Sequence, residues 1–514
     1  MRAEPTGSNP NVRYVDMEQE TLVLDGGPLS GPQVIGVARK GIRVEIGENA
    51  LQLMTNSRGL VEELLSEHTP IYGINTGFGA LSTTSISHEK LGELQMNIIR
   101  SHASGVGEPL DTEIVRGMML ILAGSLSRGY SGTRPVIAET IAKMLNAGIT
   151  PVIPSRGSVG ASGDLAPLAH LALVLCGEGK AMLGKKEMPG KAAMAAGGIT
   201  PIIPEEKEGL ALLNGTHLMA SIAALSLADI AIICEAAVIS TAMSIDAAKA
   251  TSTFLDDRIH EIRGQSGQRT VAASIREHLR GSTILTSHSH DDPRVQDPYS
   301  FRCSPQVLGA AIESIARITG TISAELGAVT DNPLVFSKDK KILSGGNFHG
   351  MPLAIAMDEL RIALCHIAGI ADRRLEWILS ARCLHNDLPA FMSCDVGVES
   401  GLMIVQYTTA ACCAEMRTLS MPASVSNIST SAGIEDYNSM GATAALMLRQ
   451  SINLCRSVIA IEILVGCDAL DHHRPLKSGD AVEHMYAKVR EVVPERSCDR
   501  SPSEDILAIE QLLR

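Results

Sequence analysis

Apolar residues recur every three or four positions along most of the chain, which is the spacing of helices that bury one face. Polar caps and helix breakers frame several of these runs: Asp111 precedes one, Pro135 opens the next, and Asp164 precedes a third. Near the C-terminus, Ser501-Pro502-Ser503-Glu504 has the form of a capping box with proline in the first turn. The pattern predicts helices at 112–127, 135–146, 165–176, 304–327, 353–386, 396–419, 440–466 and from 502 onwards.

Strand patterns are few and lie near the N-terminus, at 21–24 and 42–46. Both are short, with glycine and acidic residues close by, so we predict a small hairpin or edge sheet. The fold class that follows is mostly α, with a long central helical bundle and a smaller mixed N-terminal domain. The predicted parts are a flexible tail at 1–15, an N-terminal domain at 16–200, the bundle at 201–466 and a C-terminal helical cap at 467–514.

One apolar stretch, Gly209 to Ala228, has no Asp, Glu, Lys or Arg and is long enough to cross a bilayer. It contains Asn214 and His217, however, and acidic residues flank it instead of a basic cluster. We therefore predict a central helix that protein buries on all sides, and no membrane partner.

The charge balance narrows the possible partners. The 514 residues include 44 Lys and Arg against 57 Asp and Glu, which gives a net charge of −13. Phosphate neutralisation needs surplus basic residues, so the sequence predicts no nucleic-acid partner. One Trp, seven Tyr and six Phe are the only aromatic residues, so the core must be aliphatic.

The eleven cysteines include no C-x-x-C pair and indicate neither a disulfide framework nor a zinc ribbon. The polar N-terminus shows no signal peptide, and we expect a cytoplasmic protein. Clusters of His and Asp at 288–292 and 471–473 could in principle hold a metal. Neither has helical i, i+4 His spacing, so we interpret both as polar loops and predict no metal site.

Five segments between the helical runs are dense in Gly, Asn, Ser and Tyr. Glycine permits tight turns and close backbone approach, and loops on a rigid scaffold often carry function. Five such segments in one chain favour a shared site over five unrelated loops. They are Tyr72–Gly79, Gly157–Asp164, Leu213–Thr216, Gln296–Arg302 and Gly345–Gly350.

The second of these segments contains Ala161-Ser162-Gly163. Because Gly163 has no side chain, its amide nitrogen can approach the Ala161 carbonyl and close a five-membered ring. Loss of two waters would then leave a conjugated methylidene-imidazolone, a strong electrophile made without an added cofactor. The segment lacks the Lys-Ser/Thr end of a phosphate loop and the G-x-S-x-G pattern of a nucleophile elbow. A serine hydrolase that uses Ser162 stays an alternative.

The run from Arg156 to His170 resembles, nearly letter for letter, the prosthetic-group motif of the aromatic amino acid ammonia-lyase family. The resemblance continues in order through all five segments and covers roughly residues 20–470. It implies a fumarase/aspartase-like architecture, a homotetramer whose sites combine residues from three subunits, and elimination of ammonia from an α-amino acid. It also implies that Ala161, Ser162 and Gly163 form a 4-methylidene-imidazole-5-one group, with no external cofactor.

The resemblance gives the other site residues expected roles. Tyr72 matches the loop tyrosine that removes the β-proton, and Tyr299 matches a second tyrosine beside the prosthetic group. Arg302 can hold the substrate carboxylate in a two-pronged pair, which Lys cannot copy, although a salt bridge to a neighbouring helix would also account for it. Further residues match substrate-lining positions, with anchoring of helix ends as the alternative role of each amide: Asn214, Gln296, Asn332 and Phe348.

Substrate choice depends on fewer residues. Ser101-His102 looks like the histidine branch of the family, and His102 can hydrogen-bond an imidazole nitrogen. Phenylalanine-specific relatives usually have an apolar pair there, and tyrosine-specific ones have His after an apolar or aromatic residue. Glu415 matches a carboxylate that pairs with a protonated ring or with the amino group; an exposed helical acid is the alternative. Histidine, converted to urocanate, is the expected substrate.

One segment departs from the histidine branch. Within residues 431–440, the branch pattern is not followed at Gly433, Ile434, Tyr437 and Asn438. A phenylalanine or tyrosine lyase and an aminomutase of the same family therefore stay open. An inactive helical scaffold is a further alternative, although the complete set of candidate catalytic residues argues against it.

Overall fold

The computed structural model describes residues 20–66, 91–290, 292, 295–380 and 388–514, so Tyr72 and its segment lie outside the described residues. Within these ranges the chain is mostly helical, which confirms the predicted fold class. The helices, α1 to α19 in chain order, are Gly31–Lys40, Glu48–Ser66, Leu91–His102, Thr112–Ser127, Pro135–Asn146, Leu165–Leu175, Gly190–Ala196, Glu208–Leu213, His217–Ala247, Asp257–Glu261, Ser266–His278, Thr283–Ser287, Tyr299–Arg302, Ser304–Leu326, Met351–Leu379, Met403–Leu419, Gly441–His473, Asp480–Val492 and Pro502–Leu512. The strands, β1 to β9, are Thr21–Leu24, Arg43–Ile46, Val106–Pro109, Ile149–Pro151, Pro154–Arg156, Lys180–Leu183, Lys186–Pro189, Leu334–Phe336 and Lys341–Leu343.

The helix predictions hold best where a cap or a proline marks the start. α4 and α5 coincide with the predicted 112–127 and 135–146, and Pro135 lies in the first turn of α5. α16 begins only at Met403, not at 396, because Gly397 and Gly401 adopt left-handed backbone that a helix cannot continue. α15 ends at Leu379, short of the predicted 386.

The C-terminal part of α17 corrects the prediction of a polar loop at 471–473. The helix runs to His473, because buried apolar residues such as Leu470 continue its packed face past the predicted end at 466. His473 is buried, and its Nε2 lies 2.9 Å from the carbonyl oxygen of Ala247. The Asp471 carboxylate accepts a hydrogen bond of 2.5 Å from the Tyr486 hydroxyl. These residues therefore make structural contacts at the C-terminal end of α17.

Two local predictions near the ends of the chain are corrected. β1 and β2 form the predicted small sheet, but they pair in parallel, with Thr21 opposite Arg43, so the hairpin alternative is wrong. α1 makes the crossover connection that a parallel pair requires, and it ends at Gly41 in the left-handed region. Ser501 takes the N-cap position of α19, but its side chain makes no capping hydrogen bond among the described contacts.

The chain divides into two compact units, each built from separate stretches of sequence. The first comprises the described residues of Met1–Ala228, Thr319–Asp358 and Pro422–Leu446. The second comprises those of Asp229–Ile318, Glu359–Met421 and Met447–Arg514. The predicted division at 15, 200 and 466 stays a prediction.

The apolar stretch from Gly209 to Ala228 is buried throughout, as predicted. It is not one helix, because α8 ends at Leu213 and α9 begins at His217. Among the described residues, α9 is long and apolar enough to cross a membrane, but 72% of its most apolar window is buried inside the protein. The break at 214–216 brings an irregular, buried turn to the candidate site.

Candidate active site

The segment from Gly160 to Gly163 forms a tight, strained turn just before α6. The amide nitrogen of Gly163 lies 3.4 Å from the Gly160 carbonyl oxygen, with Ala161 and Ser162 at the bend. Ser162 has a φ of 47°, a left-handed conformation that serine rarely adopts. Gly163 also has a positive φ, of 82°. The turn thus bends the backbone sharply at Ala161 and Ser162.

Gly215, in the break between α8 and α9, clamps this turn from one side. Its amide nitrogen donates a 3.1 Å hydrogen bond to the Ser162 carbonyl oxygen, and its own carbonyl accepts one of 2.8 Å from the Asp164 amide. A Cβ on Gly163 would overlap the Gly215 carbonyl oxygen. Only glycine fits at position 163 in this arrangement.

Residues 439 and 440 hold the turn from another side. The Met440 amide donates a 2.9 Å hydrogen bond to the Val159 carbonyl oxygen. A Cβ on Gly160 would overlap the Ser439 hydroxyl. The buried Asn438 anchors this segment through a 2.7 Å hydrogen bond from its Nδ2 to the Ile428 carbonyl oxygen. The segment that departs from the histidine branch therefore lies against the candidate prosthetic turn.

Asp164 links the turn to the start of α9. Its Oδ2 accepts hydrogen bonds of 3.0 and 3.1 Å from the amides of Leu218 and Met219. Asp164 is also the N-cap residue of α6, but its side chain makes no described capping hydrogen bond to that helix. Burial raises the pKa of the Asp164 carboxyl to about 7. The hydrogen bonds favour the ionised form and lower the pKa, but burial has the larger effect. The sequence marked Asp164 only as a helix cap, because nothing local points to a contact 54 residues away.

The predicted amide residues Asn214 and Asn332 lie together in the first unit. The Asn214 Nδ2 donates a 2.9 Å hydrogen bond to the Asn332 carbonyl oxygen. The Asn332 side-chain oxygen accepts one of 2.7 Å from the Gly345 amide, at the start of the loop that carries Phe348. In that loop, His349 Nε2 lies 2.9 Å from the Tyr437 carbonyl oxygen. The Asn332 amide thus anchors a loop, and its substrate role stays a prediction.

His102 ends α3, and the residues after it lie beside Arg156 and His170, at the two ends of the family motif. Val106 pairs with Arg156 between β3 and β5, and the Gly105 amide donates a 3.1 Å hydrogen bond to His170 Nε2. His102 Nδ1 lies 2.8 Å from the Ile98 carbonyl oxygen. A carbonyl oxygen can only accept, so Nδ1 carries the proton and Nε2 is left as an acceptor.

Tyr299 and Arg302 form a compact pair on α13, in the second unit. The Arg302 guanidinium carbon lies 4.3 Å from the centroid of the Tyr299 ring. Arg302 Nε donates a 3.1 Å hydrogen bond to the Asp297 carbonyl oxygen, which fixes the stem of the side chain. No salt bridge to Arg302 occurs among the described ion pairs, so its two terminal nitrogens stay available for a carboxylate.

Gln296 and Glu415 are the least constrained of the predicted residues. Both are exposed on the described surface. The Glu415 carboxylate accepts a hydrogen bond from the Gln450 side chain on α17. Their substrate roles stay predictions, because no described contact of either residue leads to another predicted site residue.

Known proteins share this fold along most of its length. The mostly helical fold is that of lyases that act on carbon–nitrogen bonds. Residues 29–491 match the aromatic amino acid lyase family, and the chain belongs to this family. A histidine ammonia-lyase of Myxococcus xanthus is 44% identical over 503 residues, which are 97% of each chain.

Two solved structures agree with this assignment. The histidine ammonia-lyase of Trypanosoma cruzi superimposes with a TM-score of 0.89 at 37% identity, over 96% of this chain and 93% of that one. The phenylalanine aminomutase of Pantoea agglomerans superimposes with a TM-score of 0.90 at 32% identity, over 96% and 98% of the two chains. The family resemblance inferred from the sequence is confirmed.

Proposed function

We propose that this chain eliminates ammonia from L-histidine to give trans-urocanate, as a step in histidine degradation. The carrying observation is the 2.8 Å contact between His102 Nδ1 and the Ile98 carbonyl oxygen, from which we assign the proton to Nδ1. The free Nε2 is therefore a hydrogen-bond acceptor for an N–H of the substrate imidazole. Relatives named histidine ammonia-lyase, at 41–44% identity over nearly the full length, support the same substrate.

A phenol O–H could use the same acceptor, so tyrosine is the alternative substrate that an assay must exclude. Phenylalanine offers no hydrogen-bond donor to His102 Nε2 and would leave that acceptor without a partner in the complex. The aminomutase among the structural relatives keeps a second outcome open, in which ammonia returns to the β-carbon.

We also propose that Ala161, Ser162 and Gly163 form a 4-methylidene-imidazole-5-one group. The residues present fit it: the left-handed Ser162 compresses the turn, and the space that a side chain on Gly163 would need is filled by the Gly215 carbonyl. Once formed, the group supplies a strong electrophile for the substrate amino group. No metal and no external cofactor are part of the proposal.

Other residues then bind and orient the substrate. The terminal nitrogens of Arg302 would hold the substrate carboxylate, and the stacked guanidinium fixes the orientation of the Tyr299 ring. Tyr72 would take the β-proton as general base. Asn214, Gln296, Asn332, Phe348 and Glu415 would line the substrate. The Asn332 carbonyl oxygen would also hold the Asn214 side chain in place.

The assembly is proposed as a homotetramer with sites shared between copies, in the cytoplasm. Tyr299 is 70% exposed in the single chain and borders a surface cavity of about 1090 Å³. This cavity is larger than an amino acid needs and is lined partly by Ile370, Trp377 and Tyr407. Such an exposed apolar recess suits a second copy of the chain.

Intact-protein mass together with an elimination assay tests the proposed chemistry. The wild-type chain should weigh less than its sequence by two waters and should release ammonia from histidine. Ser162→Ala should keep the full sequence mass, because no hydroxyl can leave, and should show no turnover. Full activity in Ser162→Ala would reject the mechanism, because elimination would then proceed without the proposed electrophile.

A further inference from the structure

Ser158 lies two residues before the Gly160–Gly163 turn, and its half-buried hydroxyl group joins the two ends of that turn. The Ser158 Oγ accepts a 3.2 Å hydrogen bond from the amide of Gly160, where the turn begins. The same hydroxyl donates to the carbonyl oxygen of Gly163, where the turn ends, over 3.1 Å. One side chain therefore bonds to the backbone on both sides of the bend.

A second acceptor lies near the Ser158 hydroxyl. The Asp164 Oδ1 is 3.3 Å from Ser158 Oγ, slightly farther than the Gly163 carbonyl oxygen. A hydroxyl has a single proton and donates to one of these acceptors at a time. Both acceptors lie at or just after the end of the turn, so the hydroxyl links its start to its end in either orientation.

The turn needs this support, because its backbone conformation is unfavourable. Gly160, Ser162 and Gly163 have positive φ angles of 87°, 47° and 82°. Left-handed backbone at a serine is costly and persists only where surrounding contacts hold it. The distance of 3.4 Å between the Gly163 nitrogen and the Gly160 carbonyl oxygen is longer than a typical N–H···O bond, so that contact alone is a weak clamp. The Ser158 hydroxyl supplies a second connection across the same turn.

We propose that Ser158 is a positioning residue for closure of the Ala161–Gly163 ring. This inference rests on the proposed function, since it assumes that the ring forms. By holding the Gly160 amide and the Gly163 carbonyl, the Ser158 hydroxyl restricts the conformations that the turn samples before the Gly163 nitrogen reacts. The Ser158 side chain itself takes no part in the bond changes.

The ring closure that Ser158 assists is balanced without any added reagent. The Gly163 nitrogen bonds to the Ala161 carbonyl carbon, and the nitrogen's proton passes to the carbonyl oxygen. The resulting hydroxyl leaves with the Ser162 amide proton as the first water. The Ser162 hydroxyl leaves with the Ser162 α-proton as the second. Nothing is oxidised or reduced.

The test follows the loss of two waters in newly made chain, by intact mass over time after a pulse of cell-free synthesis. Ser158→Ala removes the hydroxyl and should slow the mass loss roughly tenfold, because the hydrogen bonds that span the turn are gone. Ser158→Thr and Ser158→Val have nearly the same shape and differ in the hydroxyl. Ser158→Thr should mature within about threefold of wild type, and Ser158→Val should be as slow as Ser158→Ala.

Ser393→Ala is the matched control, in a loop of the second unit. The buried Ser393 hydroxyl also spans a bend, because it donates a 3.2 Å hydrogen bond to the carbonyl oxygen of Glu399. This variant should mature at the wild-type rate. Urea midpoints separate positioning from general stabilisation: Ser158→Ala should lose no more stability than Ser393→Ala and yet mature more slowly.

Wild-type maturation of Ser158→Ala would overturn the inference, as would equal maturation rates of Ser158→Thr and Ser158→Val. An equal slowing in Ser393→Ala would also overturn it, because the effect would then be one of general stability. Circular dichroism reports whether Ser158→Ala folds; if it does not, the comparison of Ser158→Thr with Ser158→Val carries the test. If the wild-type chain itself never loses two waters, the proposed function fails, and the inference falls with it.

Discussion

The carbonyl oxygen of Gly215 occupies the space in which a side chain of Gly163 would begin. These two glycines meet although they are 52 positions apart in the sequence, and their contact joins the Gly160–Gly163 turn to the break between α8 and α9. The turn is therefore held by tertiary contacts as well as by its own sequence. Small residues on both sides of the contact make the close approach possible.

Gly163→Ala tests this contact. The new methyl group would overlap the Gly215 carbonyl, and the residue would have to keep a φ of 82°, so we expect the turn to open. Elimination should fall at least about a thousandfold, because the electrophile is lost. Mass spectrometry should show the full sequence mass.

Gly148→Ala is the matched control for Gly163→Ala. Gly148 has a similar φ of 69°, and a Cβ there meets nothing within 4 Å. This variant should lose only about 1 kcal/mol of stability and keep its activity. Equal activities of the two variants would show that the contact with Gly215 is dispensable.

Arg302→Ala should weaken substrate binding more than it slows turnover. The KM for histidine should rise about 10- to 100-fold, because a charge-assisted pair with the carboxylate is lost. Arg302→Lys should recover little, since Lys cannot form the two-pronged pair. Arg258→Ala, which removes an exposed pair with Asp256, serves as control and should leave KM unchanged. An unchanged KM in Arg302→Ala would remove Arg302 from the substrate site.

Asp246→Asn should change how stability depends on pH. Hydrogen bonds of 3.1 and 3.0 Å join the Ser282 hydroxyl to the Asp246 carboxyl, and burial raises the pKa of that carboxyl to about 7. The unfolded value is about 3.9, so folding favours the protonated form. That contribution is complete below about pH 4 and is lost as pH rises to about 7.

The Asn side chain stays neutral at every pH, so Asp246→Asn should gain stability relative to wild type between pH 5 and pH 8. Urea midpoints measured across that range provide the comparison. A constant difference between the two proteins would show that the Asp246 carboxyl does not titrate there.

Arg374→Met should destabilise the second unit strongly. Arg374 and Glu462 are both fully buried, with Arg374 Nε 2.5 Å from Glu462 Oε1, and Ser240 and Ser244 also donate to the carboxylate. Removing the arginine leaves a buried carboxylate without its cation, at a cost of about 3–5 kcal/mol. Chemical denaturation measures the loss.

Two comparisons sharpen the Arg374 experiment. Arg269→Ala removes an exposed pair with Glu261 and should cost no more than about 1 kcal/mol. Adding Glu462→Leu to Arg374→Met should recover part of the stability, because the uncompensated charge is gone. No recovery would mean that packing around Arg374, not charge, sets the cost.

The sequence predicted local features well and distant contacts poorly. Asp111 and Pro135 marked the start of α4 and α5 correctly, because caps and prolines act within one turn. The parallel pairing of β1 with β2 was missed, since a short strand does not show the direction of its partner. The end of α17 was placed too early, because the boundary depends on tertiary burial.

The same contrast holds at the candidate site. The Ala161-Ser162-Gly163 motif was visible in the sequence, and the structure places it in a strained turn. The contacts of Asp164 with α9 and of Gly215 with the turn carry no local signal. His217 was noted only as a polar residue in an apolar stretch. Its two unpartnered nitrogens emerge only from the folded chain.

The most direct measurement is a competition assay on the purified wild-type chain. Equimolar histidine, tyrosine and phenylalanine are supplied together, and the initial rate of each elimination product is measured alongside ammonia. We expect urocanate to dominate, with a kcat/KM at least about a hundredfold above that for either competitor, because the relatives at 41–44% identity are histidine ammonia-lyases. Efficient conversion of tyrosine with little or no urocanate would contradict the account.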